Sequence, residues 1–266
     1  MNKVIIPLAL TMMAPYALAE EATDAPDPGD HTKVSTMVGA TYGVASLSEE
    51  NDNFFRLNAQ ISGAKNNGNL FLGQLQFDGR EDQQFDDSFD LTQVRARYFE
   101  VKRTGYESVS VAGVSLDYIE SSFVDTNPTD RLLAVGGIVR VATPFANWLA
   151  FPILAGVYAQ NDKAFSDAGV VDKNAWGVQV NMMNSVYLHE NGTHLQFNPQ
   201  YSMVDMGGML GTVNSLQLDT ALQFPMTDNR KHWGKITYIE RFSDATQSFG
   251  HVDTGRELLF SYNYYL

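Results

Sequence analysis

The sequence of 266 residues contains no cysteine. Without cysteine there is neither a disulfide framework nor a metal site built from thiolates. An exported chain of this length that lacks disulfides has to be stabilised by one large hydrogen-bonded architecture. This absence therefore narrows the fold classes before any motif is considered.

Long apolar runs and basic residues are also scarce. Beyond residue 19 no apolar run reaches the length of a membrane-spanning helix, which excludes a helical membrane protein. Lys and Arg number 18 against 31 Asp and Glu, so the formal charge is −13, and we expect no nucleic-acid partner. Hydrophobic residues still make up 44% of the chain, which suffices for half-buried strands in which apolar and polar residues alternate.

The first 19 residues have the pattern of a secretory signal peptide. Lys3 precedes an apolar run over residues 4–14, and residues 17–19 read Ala-Leu-Ala, which fits a cleavage site. We therefore predict export, with cleavage after Ala19. Residues 20–32 are acidic and proline-rich, and they are predicted to form a disordered periplasmic leader.

The stretch at residues 255–266 is a strongly alternating strand. One face carries the apolar set Leu258, Phe260, Tyr262, Tyr264 and Leu266, and the opposite face carries the polar set Glu257, Ser261 and Asn263. Successive side chains of a strand point to opposite faces, so one face is apolar and the other is wet. Such a strand needs a partner for its open edge, and closure of a barrel removes that edge.

Similar strands recur throughout residues 33–266. The predicted strands lie near 33–47, 54–63, 70–78, 91–103, 106–119, 131–142, 147–160, 173–189, 193–205, 213–225, 232–242 and 255–266. This gives about twelve strands, an even number, as in single-chain bacterial outer-membrane barrels. The phase of strands four and five stays open, because either phase places Glu100 or several serines on the apolar side, and a bulge would shift the register there.

The connections between these strands alternate in length. Tight turns are predicted at 66–69, 104–105 and 190–192, each containing glycine, and longer polar links at 79–90, 120–130, 161–172 and 243–254. Aromatic residues near the short turns, among them Tyr187 and Trp233, are typical of interfacial girdles. Short turns at one rim and long loops at the other match the periplasmic turns and extracellular loops of transmembrane barrels.

Taken together, the signal peptide, the alternating strands, the asymmetric connections and the C-terminal strand resemble a Gram-negative outer-membrane β-barrel protein of the porin-like channel class. The resemblance covers residues 33–266 and implies an all-β fold with a single antiparallel transmembrane barrel. It implies outer-membrane lipid and lipopolysaccharide as surroundings, and a barrel assembly machinery that reads the C-terminal strand. This chain keeps the alternation at Tyr262 and Tyr264 but ends on Leu266, where such proteins usually have an aromatic residue.

The charged residues of the strands predict an anion-preferring lumen. Charges on the lipid face are costly, so basic strand residues are more easily placed inside the barrel. The predicted inward set is Arg56, Arg95, Arg97, Arg140, Lys235 and Arg241, against few inward acids, chiefly Asp219 and Glu257. Rings of Arg or Lys select anions, so we expect a passive channel for small hydrophilic, anionic solutes. Alternatively, the arginines brace the wall through salt bridges.

Two other function classes stay open from the sequence. Twelve-stranded barrels of this class also include phospholipases, and His251 with Ser248 and Asp253 has the residue types of a hydrolase site. A polar loop of this length often contains those types, so we expect no enzyme and no cofactor. A structural or adhesive barrel with a filled lumen is the third class, because twelve strands fall between small filled barrels and open porins.

The acidic loop after strand three predicts a weak, exchangeable cation site. Asp82, Asp86 and Asp87 supply the oxygen ligands that Ca²⁺ and Mg²⁺ prefer, beside lipopolysaccharide that is itself anionic. We expect calorimetry to detect divalent-cation binding that disappears when all three residues are replaced by Asn. The absence of any binding in the unaltered protein would contradict the prediction.

Overall fold

A computed structural model describes residues 27–29, 35–47, 50–65, 67–81, 89–123, 127–245 and 252–266. Within these residues it contains twelve strands and one short helix, α1 (Lys163–Asp167), between β7 and β8. The strands are β1 (Thr36–Leu47), β2 (Glu50–Ala64), β3 (Leu70–Glu81), β4 (Phe89–Arg103), β5 (Val109–Glu120), β6 (Thr129–Val141), β7 (Trp148–Asn161), β8 (Asn174–Tyr187), β9 (His194–Asp205), β10 (Thr212–Pro225), β11 (His232–Ala245) and β12 (Val252–Tyr265). The predicted all-β fold and strand count are confirmed.

The strands close into one antiparallel barrel. Each strand pairs with its neighbours in sequence, and β1 completes the ring by pairing with β12, so that Val38 lies opposite Tyr264. On its other side β1 pairs with β2, where Val38 lies opposite Ala59. Closure leaves no strand of the described barrel with an open edge. In the described part of the chain, no helix combines the length and apolar character needed to cross a bilayer.

The alternation predicted for the last strand is present in β12. Phe260 is 54% exposed on the outer surface, whereas Glu257 is 1% and Asn263 4% exposed on the inner surface. β8 and β9 alternate in the same way, since Trp176 and Phe197 face outward while Gln179 and Gln196 are buried inside. These three strands therefore present an apolar outer face and a polar inner one.

Bulges resolve the phase of strands four and five, which the sequence left open. The register between β3 and β4 shifts at Thr92, and the register between β5 and β6 shifts at Ser110. Each shift places one extra residue in a strand and reverses the faces of the residues beyond it. As a result Arg95, Arg97 and Asp117 all face the interior.

Glu100 is the residue that made this phase ambiguous, and it does face outward, near the short turn that joins β2 to β3. Its carboxylate accepts hydrogen bonds from Lys65 at 2.5 Å, Asn69 at 2.8 Å and the Tyr98 hydroxyl at 2.8 Å. The hydrogen bonds that Lys65 donates to Glu100 and Tyr98 raise the pKa of the Lys65 ammonium. A charge on the outer surface is thus neutralised at the rim.

The predicted glycine turns are present, but the links predicted at 79–90 and 243–254 are shorter than expected because β3, β4, β11 and β12 extend into them. Gly68, Gly105 and Gly192 of the short turns adopt φ angles of 82°, 81° and 94°, which hairpin turns require and glycine tolerates. At the opposite rim the link between β7 and β8 contains α1, whose first turn is capped by the Asp162 carboxylate, an acceptor from the amides of Ala164 and Phe165.

The interior is polar on one side and apolar on the other. Two apolar clusters cover the inner faces of β6 and β7 and adjoining strands. One contains Ala155 and Val157 of β7, against which Phe165 of the α1 link packs. The other contains Phe99, Ile138 and Phe151, nearer the short turns. The α1 link therefore folds inward, and part of the barrel is filled by side chains.

Two adjacent glycines of β6, Gly136 and Gly137, differ in how closely the neighbouring strands approach them. A Cβ on inward-facing Gly136 would overlap the carbonyl oxygen of Leu154 and lie 2.6 Å from the Cα of Ala155. A Cβ on outward-facing Gly137 would come no nearer than 3.7 Å to the carbonyl oxygen of Gly113. We expect Gly136→Ala to lower the free energy of unfolding by about 1–3 kcal/mol, because backbone has to shift. Gly137→Ala is the matched control.

Urea titration of the folded barrel in lipid vesicles, read by its heat-dependent gel mobility, measures both variants. Equal midpoints for the two variants would show that the close approach at Gly136 is relieved without cost.

Candidate functional site: the lumen

The polar side of the barrel encloses a cavity of about 530 Å³, here called the lumen cavity. Its lining comes from β1–β5 and β8–β12 together with connecting residues, whereas β6 and β7 contribute none. Amide side chains are frequent in the lining, and Gln74 donates a 2.9 Å hydrogen bond to Gln60. The cavity is therefore a hydrophilic space that lies off the barrel axis.

Charged side chains of both signs face this interior. Six are basic, namely Arg56, Arg80, Arg95, Arg97, Lys235 and Arg241, and four are acidic, namely Asp78, Asp117, Asp219 and Glu257. Six minus four leaves a surplus of two positive charges among the described lumen residues. The sequence missed Arg80, Asp78 and Asp117, so the expectation of few inward acids was wrong.

Asp78, at the predicted end of strand three, lies within β3 and is 5% exposed. Arg56 donates two hydrogen bonds to its carboxylate, from Nε to Oδ1 at 2.7 Å and from Nη2 to Oδ2 at 3.0 Å. Gln76 donates a third to Oδ2 at 2.9 Å. This bidentate pairing fixes the Arg56 guanidinium against the wall.

Glu257 is shared by two arginines. Its Oε1 accepts from Arg80 Nη2 at 3.0 Å and from Arg241 Nη1 at 2.5 Å. Arg241 also donates from Nε to Gln217 Oε1 at 2.9 Å. A carboxylate that is 1% exposed needs such partners, because a buried unpaired charge is costly.

Asp117 holds Arg95 and Arg97 unequally. Arg95 donates from Nε to Oδ1 at 2.8 Å and from Nη2 to Oδ2, a bidentate pair. Arg97 only approaches the same carboxylate, with Nε 3.4 Å from Oδ2. The guanidinium of Arg97 is thus the less neutralised of the two.

Lys235 has no hydrogen bond or ion pair with any residue that the structure describes. Its ammonium interacts electrostatically with Asp219, Arg56 and Arg97, which face the lumen from β10, β2 and β4. Asp219 accepts a hydrogen bond from Gln217 at 2.7 Å. These four residues, Arg56, Arg97, Asp219 and Lys235, are called the mid-lumen cluster, and they bring three positive charges together with one negative charge.

The remaining predicted site residues are distributed differently. Arg140 is half-buried on β6 and does not line the lumen cavity. Asp82, Asp86 and Asp87 of the predicted cation site lie outside the described residues, as do Ser248 and His251. Within the described ranges, no group of three or more His, Asp or Glu side chains could hold a metal ion.

Aromatic side chains form a floor at the short-turn end of the lumen. Tyr187, His194, Trp233 and Tyr265 have successive ring centroids 5.5, 6.3 and 6.3 Å apart. Trp233 and His194 are fully buried, so the prediction that Tyr187 and Trp233 belong to an interfacial girdle was wrong. These four residues are called the aromatic floor.

Residues 27–29 lie against the aromatic floor, inside the barrel. The Tyr187 hydroxyl donates a 2.7 Å hydrogen bond to the Asp27 carboxylate. Pro28 and Gly29 are buried, and Pro28 is one of the residues that line the lumen cavity. The described part of the predicted leader is therefore lodged in the lumen.

No protein-family model matches the chain, and no curated protein matches it in sequence. Among solved structures, it is similar to the COG4313 outer membrane channel from Pseudomonas putida F1, with a TM-score of 0.61, 11% identity, and coverage of 91% of this chain and 100% of that one. The β domain of the Bordetella autotransporter Brka has a TM-score of 0.46 at 10% identity, covering 87% of this chain and 99% of that one. A mutant of the Rhodopseudomonas blastica porin has a TM-score of 0.30 at 10% identity, covering 87% and 100%. At these identities the first likeness establishes the fold, that of outer-membrane β-barrels, and the other two are too distant to add to it.

The unequal pairing at Asp117 generates a prediction about stability. Replacing Asp117 with Asn removes the carboxylate between two guanidinium groups, so the free energy of unfolding should fall by about 1.5–3 kcal/mol. Asp219→Asn is the matched control, because Asp219 has no ion pair in the described part of the barrel, and we expect a smaller loss. Urea titration in lipid vesicles measures both, and an equal loss would contradict the bracing role assigned to Asp117.

Proposed function

We propose that the protein is a channel of the bacterial outer membrane through which small hydrophilic solutes diffuse passively, and that its lumen favours anions. The barrel fold and the 530 Å³ hydrophilic cavity support a channel. The structural neighbour of highest similarity among those described above carries the name of an outer membrane channel. A signal peptide cleaved after Ala19 would deliver the chain to the periplasm for insertion.

The mid-lumen cluster is the observation that carries the anion preference. Most inward arginines are neutralised by bidentate or shared carboxylates, and these pairs act as braces. Lys235 and Arg97 remain the cations with the least compensation in the described lumen. A passing chloride, carboxylate or phosphate group meets these two charges, and such positive rings favour anions. The planar guanidinium of Arg97 also suits the geometry of a carboxylate.

The hydrogen bonds in the lumen distinguish the arginines that could set selectivity from those that brace the wall. Arg95 and Arg97 belong to the same predicted inward set and lie two residues apart on one face of β4. Arg95 donates hydrogen bonds from Nε and Nη2 to Asp117. Its guanidinium therefore braces the barrel wall and is less available to a passing solute. We therefore assign selectivity to Arg97 and Lys235, and bracing to Arg95, Arg56 and Arg241.

The two other function classes have less support. A barrel whose lumen is wholly filled does not fit an open cavity of 530 Å³. The hydrolase alternative rests on the loop of His251, which lies outside the described residues. The solved structure whose fold this chain shares is named as an outer membrane channel, which gives an enzyme no support.

Reversal potentials under a KCl gradient in planar bilayers test the selectivity. We expect the unaltered channel to favour chloride, and a double variant Arg97→Gln, Lys235→Gln to reduce the chloride-to-potassium permeability ratio by roughly twofold or more. The matched control removes the same charge at exposed positions near a short turn, Lys102→Gln with Arg103→Gln. Arg95→Gln is expected to shift the ratio less than Arg97→Gln.

Cation preference in the unaltered protein would overturn the anion assignment and leave a channel of the opposite selectivity. An equal shift in the lumen variant and the control variant would show that the charge of the whole molecule, and not the mid-lumen cluster, sets the preference.

A further inference from the structure

We propose that the short-turn end of the lumen is a docking site for the chain's own segment Asp27–Gly29, and that the docked segment narrows the solute path there. The narrowing, but not the docking, rests on the proposed channel function. The site consists of the aromatic floor and the polar side chains beside it. Its ligand is a tripeptide that offers one carboxylate, one proline ring and one glycine.

The contacts of the segment are specific. The Asp27 carboxylate accepts from the Tyr187 hydroxyl at 2.7 Å and from the Gly29 amide at 3.1 Å, so the segment closes into a small turn around its own acidic side chain. A Cβ on Gly29 would lie 2.7 Å from the Tyr187 hydroxyl oxygen and 3.3 Å from Cε1 of His194. Only a residue without a side chain fits this approach unless the floor moves.

The floor that receives the segment is held from below. His194 is fully buried, its Nδ1 lies 2.8 Å from the carbonyl oxygen of Gly192, and its Nε2 lies 3.1 Å from the Gln196 amide nitrogen. The Trp233 indole donates to the Arg230 carbonyl oxygen at 2.5 Å. Because these rings are fixed by the turns of the barrel, the site is preformed and the segment is the part that has to order.

The position of the segment places it in the path of a solute. Pro28 lines the lumen cavity together with Met37, Gln223 and Tyr265, which belong to β1, β10 and β12 at the short-turn end. The cavity also extends to the mid-lumen cluster. A solute that enters at the opposite rim therefore meets Pro28 before it leaves at the short-turn rim.

Conductance of the full chain in symmetrical KCl tests the narrowing. We expect Tyr187→Phe and Asp27→Ala each to raise single-channel conductance, by roughly 1.5-fold or more, because either change removes the hydrogen bond that anchors the segment. In the Asp27→Ala background, Tyr187→Phe should add nothing, which a merely structural role of Tyr187 would not produce. Tyr201→Phe is the matched control, since it removes a hydroxyl that bonds to Asn214 at 3.0 Å on the outer surface.

Thiol labelling tests the docking itself. The chain has no cysteine, so Pro28→Cys carries a single thiol, and Met226→Cys places one in an exposed turn near the same rim. We expect a membrane-impermeant maleimide to label Cys at position 28 roughly tenfold more slowly than at position 226, because the docked segment has to open first. Adding Tyr187→Phe should accelerate labelling at position 28 alone.

Conductance and thiol labelling together show which of the two claims fails, the docking or the narrowing. Equal labelling rates at the two positions would overturn the docking. Slow labelling at position 28 with unchanged conductance in both single variants would keep the docking and overturn the narrowing. If no variant conducts, the channel function fails, while labelling still decides whether the segment is docked.

Discussion

The structure depends on one constraint, which is that every backbone N–H and C=O group in the barrel wall needs a hydrogen-bond partner. In hydrocarbon each unpaired N–H or C=O group is costly, and a set of strands meets this requirement only if the sheet has no edge. The pairing of β1 with β12 supplies that condition, over eleven residue pairs from Met37–Tyr265 to Leu47–Gly255. Everything else follows from closure, because a closed sheet turns one face of every strand to the surroundings and encloses the other.

Because the barrel encloses its inner face, the charged side chains there have to find partners inside the lumen. Ten charged side chains line the lumen among the described residues, and their Coulomb interactions are stronger there than in bulk water. The barrel offsets most of the desolvation by pairing charges between neighbouring strands, as Arg56 of β2 does with Asp78 of β3. Only the charges that are left without a close partner are available to a solute. The basic residues of the lumen are thus divided between two roles. Most of them brace the wall, and Arg97 and Lys235 are proposed to set the selectivity.

The sequence predicted the architecture well, because alternation and turn chemistry are local properties. All twelve strands were located to within four residues, since a period of two and the glycines of the turns can be read directly. The lumen was predicted less completely. Asp117 was missed because the bulge at Ser110 sets the phase of β5 and no sequence pattern marks it. Asp78 was missed as an inward acid because it was predicted to be the last residue of strand three, whereas β3 continues to Glu81 and encloses it.

Two further misses have a different origin. Tyr187 and Trp233 were expected at the lipid interface because aromatic residues near strand ends are common there, yet alternation alone would have placed Trp233 on the same face as Lys235. The docked position of residues 27–29 has no local signature, since an acidic, proline-rich segment reads as disordered by composition. Its partner residues are more than 150 positions away in the chain, as the 160-residue separation of Asp27 and Tyr187 illustrates.

The sharing of Glu257 between Arg80 and Arg241 has a mechanical consequence. Arg80 belongs to β3 and Glu257 to β12, so this ion pair crosses the interior over β1 and β2 and joins strands that share no backbone hydrogen bonds. A link of this kind is a chord of the cylinder. It resists flattening of the round cross-section into an ellipse, a deformation that hydrogen bonds between adjacent strands oppose only weakly because each of them can act as a hinge. The bore beside this chord should therefore keep its width when lateral pressure in the surrounding bilayer changes.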